Sequence, residues 1–204
     1  AATGIVSGEP QGRRLGIGLI LASIPIILIG LTFGQTVKEL LFNNIAIAIG
    51  LIVGGLIIIW IEKNPPQVRA QEVEDLTIKD AIWIGLIQVL SLIPGTSRSG
   101  ATIIGAMFLG VSRKAATEFS FFLGIPVIVG AGLLDLYQSY DVFSGTQDWV
   151  VLTVGLLVSF ISALLLIRAL VAYVAKRDFM IFAWYRIVSG LLILLFAYTG
   201  WTLW

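Results

Sequence analysis

The chain has 204 residues, of which 58% are hydrophobic and 12% are charged, with 13 Lys and Arg against 12 Asp and Glu. A soluble domain carries about a quarter charged residues, so this chain cannot build a water-exposed surface and is predicted to be an integral membrane protein. The sequence contains no Cys and no His, which excludes disulfides, thiolate nucleophiles and histidine as a base or metal ligand.

Five apolar stretches are long enough, or nearly so, to cross a bilayer core of about 30 Å as helices. In chain order they are residues 15–33, 45–61, 119–134, 150–171 and 181–204. The third is slightly short and contains Pro126, which neighbouring helices can accommodate in a membrane. The pattern predicts an all-α polytopic membrane protein that forms one integral membrane domain over residues 1–204.

The remaining apolar segments, residues 81–93 and 101–111, are each too short to cross, and the polar turn PGTSRSG separates them. Either one long helix is kinked at Pro94, or two half-helices form a re-entrant hairpin with its tip inside the membrane. Lys and Arg concentrate on the cytoplasmic side of membrane proteins. In the hairpin topology, the loop 135–149, which contains no Lys or Arg, lies outside. In the same topology only Lys38 lies on the outer side. The other basic residues at the ends of the helices share the cytoplasmic side: Arg13, Arg14, Lys63, Arg69, Lys79, Arg113, Lys114, Lys176 and Arg177. We therefore predict a re-entrant hairpin over residues 81–111 that enters from the cytoplasmic side.

The hairpin tip has the composition of an anion site. Arg98 is its central residue, because a guanidinium near mid-membrane is costly unless paired and its planar fork matches phosphate oxygens. The hydroxyls of Thr96, Ser97 and Ser99 add donors, and Gly95 and Gly100 permit close backbone approach. A half-helix that begins near Ala101 would point its N-terminus at the same place. The alternative is a tight turn in which the serines cap that helix and the arginine pairs with a carboxylate.

Other polar residues are weaker candidates. Gln88 and Ser91 share one face of the first half-helix, where hydrogen bonding between helices is the favoured explanation. Arg168 and Arg186 lie near the ends of spans, so extension of their side chains to the membrane surface explains them at least as well as a role in the site. Gly50 and Gly54 form a GxxxG pair, which favours close helix packing.

Several motifs resemble the bacterial undecaprenyl-diphosphate phosphatase family, also called bacitracin-resistance proteins. They are QGRRLGIGLILASIP, PGTSRSGATI, GVSRKAATEFSFFLGIP, LLDLY and the later YRI. The resemblance implies hydrolysis of undecaprenyl diphosphate to undecaprenyl phosphate and phosphate, which recycles the lipid carrier of peptidoglycan synthesis. It also implies the inner membrane, a site open to the outer face, a divalent metal (Mg or Ca), and an inverted repeat with two re-entrant hairpins. A homodimer is a further expectation, and no nucleic acid partner is expected.

Carried onto this sequence, the resemblance assigns catalytic roles to Ser97, Arg98 and Ser99. It assigns substrate binding to the neighbouring residues Gly95, Thr96, Gly100, Ala101 and Thr102. The family's first hairpin, with a glutamate-rich segment and a histidine, has no match here, so the fold resembles one repeat and a part of the other. The metal ligands are then expected upstream, and residues 1–204 alone are expected to lack appreciable phosphatase activity. A transporter of polyprenyl phosphates or other anions remains the alternative, because broken helices aimed at an anion are also typical of transporters.

Overall fold

The computed structural model describes residues 10–143 and 145–199, and over these residues the chain is helical apart from short connections. Its α-helices are α1 Pro10–Leu41, α2 Asn44–Lys63, α3 Ile78–Gln88, α4 Arg98–Phe108, α5 Arg113–Gln138, α6 Thr146–Val174 and α7 Met180–Tyr198. Within the described part, the one isolated β-bridge joins Ala70 and Val111, and no strand forms. The predicted all-α class is confirmed.

Five of these helices are long and apolar enough to cross a membrane, namely α1, α2, α5, α6 and α7. Each contains one of the five predicted stretches, although residues 200–204 of the last stretch lie outside the described part of the chain. The helices extend past the apolar stretches, as in α1, because a helix satisfies its own backbone hydrogen bonds in lipid and in water alike. Pro126 lies inside α5 as predicted. Large apolar side chains are exposed along α6 in particular, which is the surface expected of a multi-pass membrane protein.

Helices α3 and α4 fold back on each other across the polar turn. Arg69 holds their outer ends together: its Nη1 donates to Oδ2 of Asp80 at 3.1 Å, and its Nε donates to the carbonyl of Leu109 at 2.6 Å. Since Asp80 lies in the first turn of α3 and Leu109 directly follows α4, the chain returns to the end from which it started. A single helix kinked at Pro94 is therefore excluded, while re-entry of this hairpin into the membrane stays a prediction.

Close helix packing frames the hairpin on two sides. Helix α1 runs parallel to α3, because a Cβ added at Gly18 would lie 3.1 Å from Cβ of Ala81, and Gly85 abuts the backbone of Ala22 one turn later. Helices α2 and α7 run antiparallel. An added Cβ at Gly55 would lie 2.8 Å from the carbonyl of Ala183, and one at Gly190 equally close to that of Ala48. Helix α1 therefore packs along the first half of the hairpin, and α2 and α7 form a second closely packed pair.

The charged residues gather at the end of the molecule where the hairpin begins and ends. Arg14 donates to the carbonyl of Glu74, Arg113 forms a bidentate ion pair with Glu62, and Lys114 pairs with Glu72 at 2.7 Å. The backbone N–H of Phe179 also donates to Glu62 at 3.0 Å, which brings the start of α7 to the same end. We call this the basic end.

The carboxyl group of Asp80 provides a pH test of how the hairpin is closed. Burial alone would raise its pKa, but hydrogen bonds from Arg69 and Thr77 more than offset burial and hold the pKa below the ordinary value. A lowered pKa contributes stability above the ordinary carboxyl pKa and loses it as the pH falls through the folded-state value. Asp80→Asn should therefore lower the free energy of unfolding in detergent by about 1–3 kcal/mol at neutral pH, and by less in acid. The exposed neighbour Lys79→Ala is the control, and an equal Asp80→Asn effect at pH 3 and pH 7 would contradict the assignment.

Candidate functional site

The hairpin tip is wedged against α2 at one glycine. Gly95 has φ of +83°, which favours glycine, and an added Cβ would collide with the carbonyl of Ile47 in α2. Gly50, one turn further along α2, lies beneath the tip, where an added Cβ would be 2.5 Å from the carbonyl of Pro94. Close approach of backbone to backbone therefore holds the turn at a fixed point along α2.

Helix α4 begins at Arg98, three residues earlier than the predicted start near Ala101. Ser97 is the N-cap, and its Oγ accepts from the N–H of Gly100 at 3.2 Å. The Oγ atoms of Ser97 and Ser99 lie 3.1 Å apart. The alternative that the serines cap the helix is thus correct for Ser97. Because α4 starts earlier, Arg98 itself belongs to the first turn, where N–H groups have no partner within the helix.

The side chain of Arg98 turns away from the other tip residues and packs on α5. A Cβ added at Gly124 would lie 2.8 Å from Nη2 and 3.1 Å from Nη1 of Arg98. Nη1 is buried and has no hydrogen-bond partner in the described part of the chain. One turn later Thr102 faces the same side, and its Oγ1 lies 2.6 Å from Oγ of Ser120. Arg98 therefore presents a buried charged donor without an acceptor, on the side of α4 that faces α5.

Arg186 of α7 reaches the tip from the opposite direction, and sequence reasoning ranked it too low. Its Nη2 donates to the carbonyls of Gly50 at 3.1 Å and Gly95 at 3.0 Å, and only 8% of the residue is exposed. Its Nε is buried and has no partner among the residues that the structure describes. Gly54 leaves the room for this guanidinium, because an added Cβ would collide with it. The GxxxG pair therefore shapes the surroundings of the tip as well as helix packing. The explanation by extension to the membrane surface is wrong for Arg186.

A cavity of about 440 Å³ lies beside the tip, and we call it the tip cavity. Its lining includes the tip residues Gly95, Thr96, Ser97, Ser99 and Gly100, together with Tyr185 and Arg186 of α7. A second cavity of about 300 Å³ shares Thr96, Ser97, Gly100 and Arg186 with it and adds Ala101. Of the predicted site residues, Arg98 and Thr102 line neither cavity. The structure thus divides the predicted site into a cavity side and an α5 side of the same helix turn.

Gln88, near the foot of the tip, differs from its prediction. It is 1% exposed and its Nε2 has no partner in the described part, so the expected hydrogen bond to another helix is wrong for this donor. Within residues 10–143 and 145–199, three donors around the hairpin are buried without acceptors: Gln88 Nε2, Arg98 Nη1 and Arg186 Nε. A buried donor without an acceptor costs about 1–3 kcal/mol, and more when it is charged. The two arginine donors lie on different sides of the tip, and an anionic oxygen would supply the acceptor that each of them lacks.

The described residues do not supply a metal site. Over residues 10–143 and 145–199, no group of three Asp, Glu, His or Cys side chains lies close enough together to hold a metal ion. The residues present here therefore do not fit the divalent metal that the resemblance implies. The chemistry available at the tip is that of cationic and hydroxyl donors and a helix N-terminus.

Known proteins of one family are similar to this chain. The family model described as bacitracin resistance protein BacA matches residues 2–192. Undecaprenyl-diphosphatase 1 of Acinetobacter baylyi is 81% identical over 204 residues, which cover 100% of this chain and 74% of the relative. The undecaprenyl-diphosphatase of Psychrobacter cryohalolentis is 55% identical over 97% of this chain and 72% of its own length. Undecaprenyl-diphosphatase 2 of Rhodospirillum rubrum is 47% identical over 99% of this chain and 74% of its own length.

Proposed function

The chain belongs to the bacitracin resistance protein family, and from this membership we propose that it hydrolyses undecaprenyl diphosphate. The products are undecaprenyl phosphate and inorganic phosphate, so the reaction returns the lipid carrier to peptidoglycan synthesis and confers resistance to bacitracin. The three relatives compared above are all named as diphosphatases, and none of these names supports the alternative of a transporter.

The buried donor of Arg98 is the observation that carries this proposal for the site. A diphosphate brings several anionic oxygens, which supply the acceptor that Nη1 lacks within the described residues. The N–H groups in the first turn of α4 and the hydroxyls of Ser97 and Ser99 offer further donors around the same turn. Phosphoryl transfer depends mainly on positioning and on stabilisation of charge, which such donors provide.

In this proposal the residues of the tip have distinct roles. Arg98 and Ser99 bind the terminal phosphoryl group as charge develops on its oxygens and the P–O–P bond breaks, and water supplies the new oxygen. Ser97 holds the turn through its bond to the N–H of Gly100 and shares a hydroxyl contact with Ser99. Gly95 and Thr96 shape the backbone next to the substrate. Ala101 continues the binding surface into the second cavity, and Thr102 holds α4 against α5 through Ser120. No step here uses a metal ion.

The placement in the membrane follows from the distribution of charge. The hairpin begins and ends at the basic end, where Arg14, Arg69, Arg113 and Lys114 make their contacts. The positive-inside rule assigns this end to the cytoplasm. The tip contacts Ile47 and Gly50, which lie within the apolar length of α2, and this supports a hairpin that re-enters the inner membrane from the cytoplasm. The site then opens to the outer face.

Phosphate release tests the function. The purified protein that contains this chain, in detergent, should convert undecaprenyl diphosphate to undecaprenyl phosphate with one phosphate released per lipid. The assay is run with added Mg²⁺ or Ca²⁺ and with a chelator, because a requirement for divalent metal is still a prediction. The same assay on residues 1–204 alone checks the expectation that this part lacks appreciable activity. Movement of the lipid between leaflets without release of phosphate would establish the transporter instead.

A further inference from the structure

The tip cavity has two chemically different ends. Its polar end is formed by the tip backbone, Thr96, Ser97, Ser99 and Arg186, and the rest of its lining is apolar except for the hydroxyl of Tyr185. Ile58, Ile103 and Phe179 belong to this apolar part, and each is 6% exposed. Phe179 also marks the basic end, because its N–H binds Glu62. The cavity therefore leads from the anion-binding tip towards the basic end and becomes apolar on the way.

A largely apolar cavity of this size is expected to bind a ligand. Protein interiors are packed so closely that voids larger than a water molecule are few, and cavities lined by aliphatic and aromatic groups stay dry and bind apolar molecules. About 440 Å³ also lies within the usual range for small-molecule pockets, roughly 300–1,000 Å³. A polar, water-soluble ligand does not match this apolar lining, whereas a hydrocarbon chain does.

The cavity also has a lateral mouth between α6 and α7. Phe182 and Tyr185 line it while they are 37% and 70% exposed, so they belong both to the cavity and to the outer surface of the helix bundle. Leu170 of α6 forms the facing wall, one turn before that helix ends. The exposed faces of these helices are apolar, so this mouth opens towards lipid. A long chain can thus begin inside the cavity and continue into the bilayer.

We propose that the tip cavity holds the first isoprene units of the polyprenyl diphosphate, with the chain running from the tip towards the basic end and leaving between Leu170 and Phe182. This assignment rests on the proposed function for the identity of the lipid. The cavity combines anion donors at one end with an apolar passage to lipid at the other, which is the amphipathic pattern of a prenyl diphosphate. The prenyl chain and the outer-face opening then lie on opposite sides of the tip, so phosphate leaves without crossing the chain.

Photocrosslinking tests this path without requiring turnover. A farnesyl diphosphate analogue with a benzophenone at the end of its chain is irradiated with the purified protein, and the modified peptides are identified by mass spectrometry. We expect crosslinks on the peptides that carry Leu170 and Phe182, and competition by undecaprenyl phosphate. Crosslinks elsewhere, or none above background, would overturn the proposal even if phosphate release is normal. Correct crosslinks in a protein that releases no phosphate would keep the chain site and remove the hydrolase.

A matched pair of substitutions gives the kinetic test. Leu170→Trp narrows the cavity, whereas Leu166→Trp makes the same change one turn earlier at a residue that is 70% exposed and does not line it. We expect Leu170→Trp to raise KM for undecaprenyl diphosphate about tenfold, since loss of one apolar contact costs about that much. Leu166→Trp should leave KM for undecaprenyl diphosphate unchanged, because Leu166 does not line the cavity. Equal KM values for the long substrate in the two variants would contradict the path.

Discussion

Arg98→Ala should lower kcat/KM for undecaprenyl diphosphate by about a hundredfold to a thousandfold, the usual cost of removing one donor that stabilises transition-state charge. The same variant should unfold in detergent at an unchanged or higher temperature. Nη1 of Arg98 is buried without a partner in the described part of the chain, so these residues leave its charge uncompensated, and the substitution removes that charge. A large loss of activity without a loss of stability identifies a residue whose partner is the substrate.

Two further variants separate the charge of Arg98 from its position. Arg98→Lys keeps the charge but lacks the planar fork, so most of the activity should still be lost. Gly124→Ala keeps the arginine but places a methyl group 2.8 Å from Nη2, which should displace the guanidinium and reduce kcat by up to about a hundredfold. Near-normal hydrolysis by Arg98→Ala would remove the residue from the mechanism.

Much of the hairpin could be predicted because its signals are local. Two apolar segments too short to cross and a polar turn with Pro94 and Gly95 gave the break, and the distribution of Lys and Arg gave the fold-back. The predicted start of α4 is three residues late, although Ser97 is a good N-cap by residue type. This error mattered, because a helical Arg98 shares a face with Thr102 and points at α5, whereas an arginine in an open turn has no defined face.

The role of Arg186 could not be predicted from the residues next to it in the sequence. Its burial depends on Gly54, more than a hundred residues earlier, which leaves room for the guanidinium beside α2. Its two acceptors, the carbonyls of Gly50 and Gly95, come from separate parts of the chain. Arg168 occupies a similar place in its span by sequence and is exposed. Hydropathy treats the two arginines alike, and only tertiary packing distinguishes them.

Arg186→Ala should reduce both activity and stability. Removing the guanidinium leaves the carbonyls of Gly50 and Gly95 without their donor, at a cost of about 1–3 kcal/mol in the free energy of unfolding. The tip then loses its tie to α7, so the donors of the first turn of α4 shift relative to the diphosphate. We expect a fall in kcat of about a hundredfold, the cost of a displacement near 1 Å at a reacting group.

The exposed arginine of α6 supplies the matched control for this prediction. Arg168→Ala removes the same side chain from a membrane helix, and we expect it to change neither the unfolding temperature nor kcat. Arg186→Lys keeps the charge and should recover part of the stability, because one ammonium can donate to both carbonyls, but less of the activity, because it lacks the fork that fixes the geometry. If Arg168→Ala and Arg186→Ala lost activity equally, the tie between α7 and the tip would not be what Arg186 contributes. If Arg186→Ala unfolded like the parent protein, its bonds to Gly50 and Gly95 would carry no net stability, and its effect on kcat would have to come from contact with the substrate.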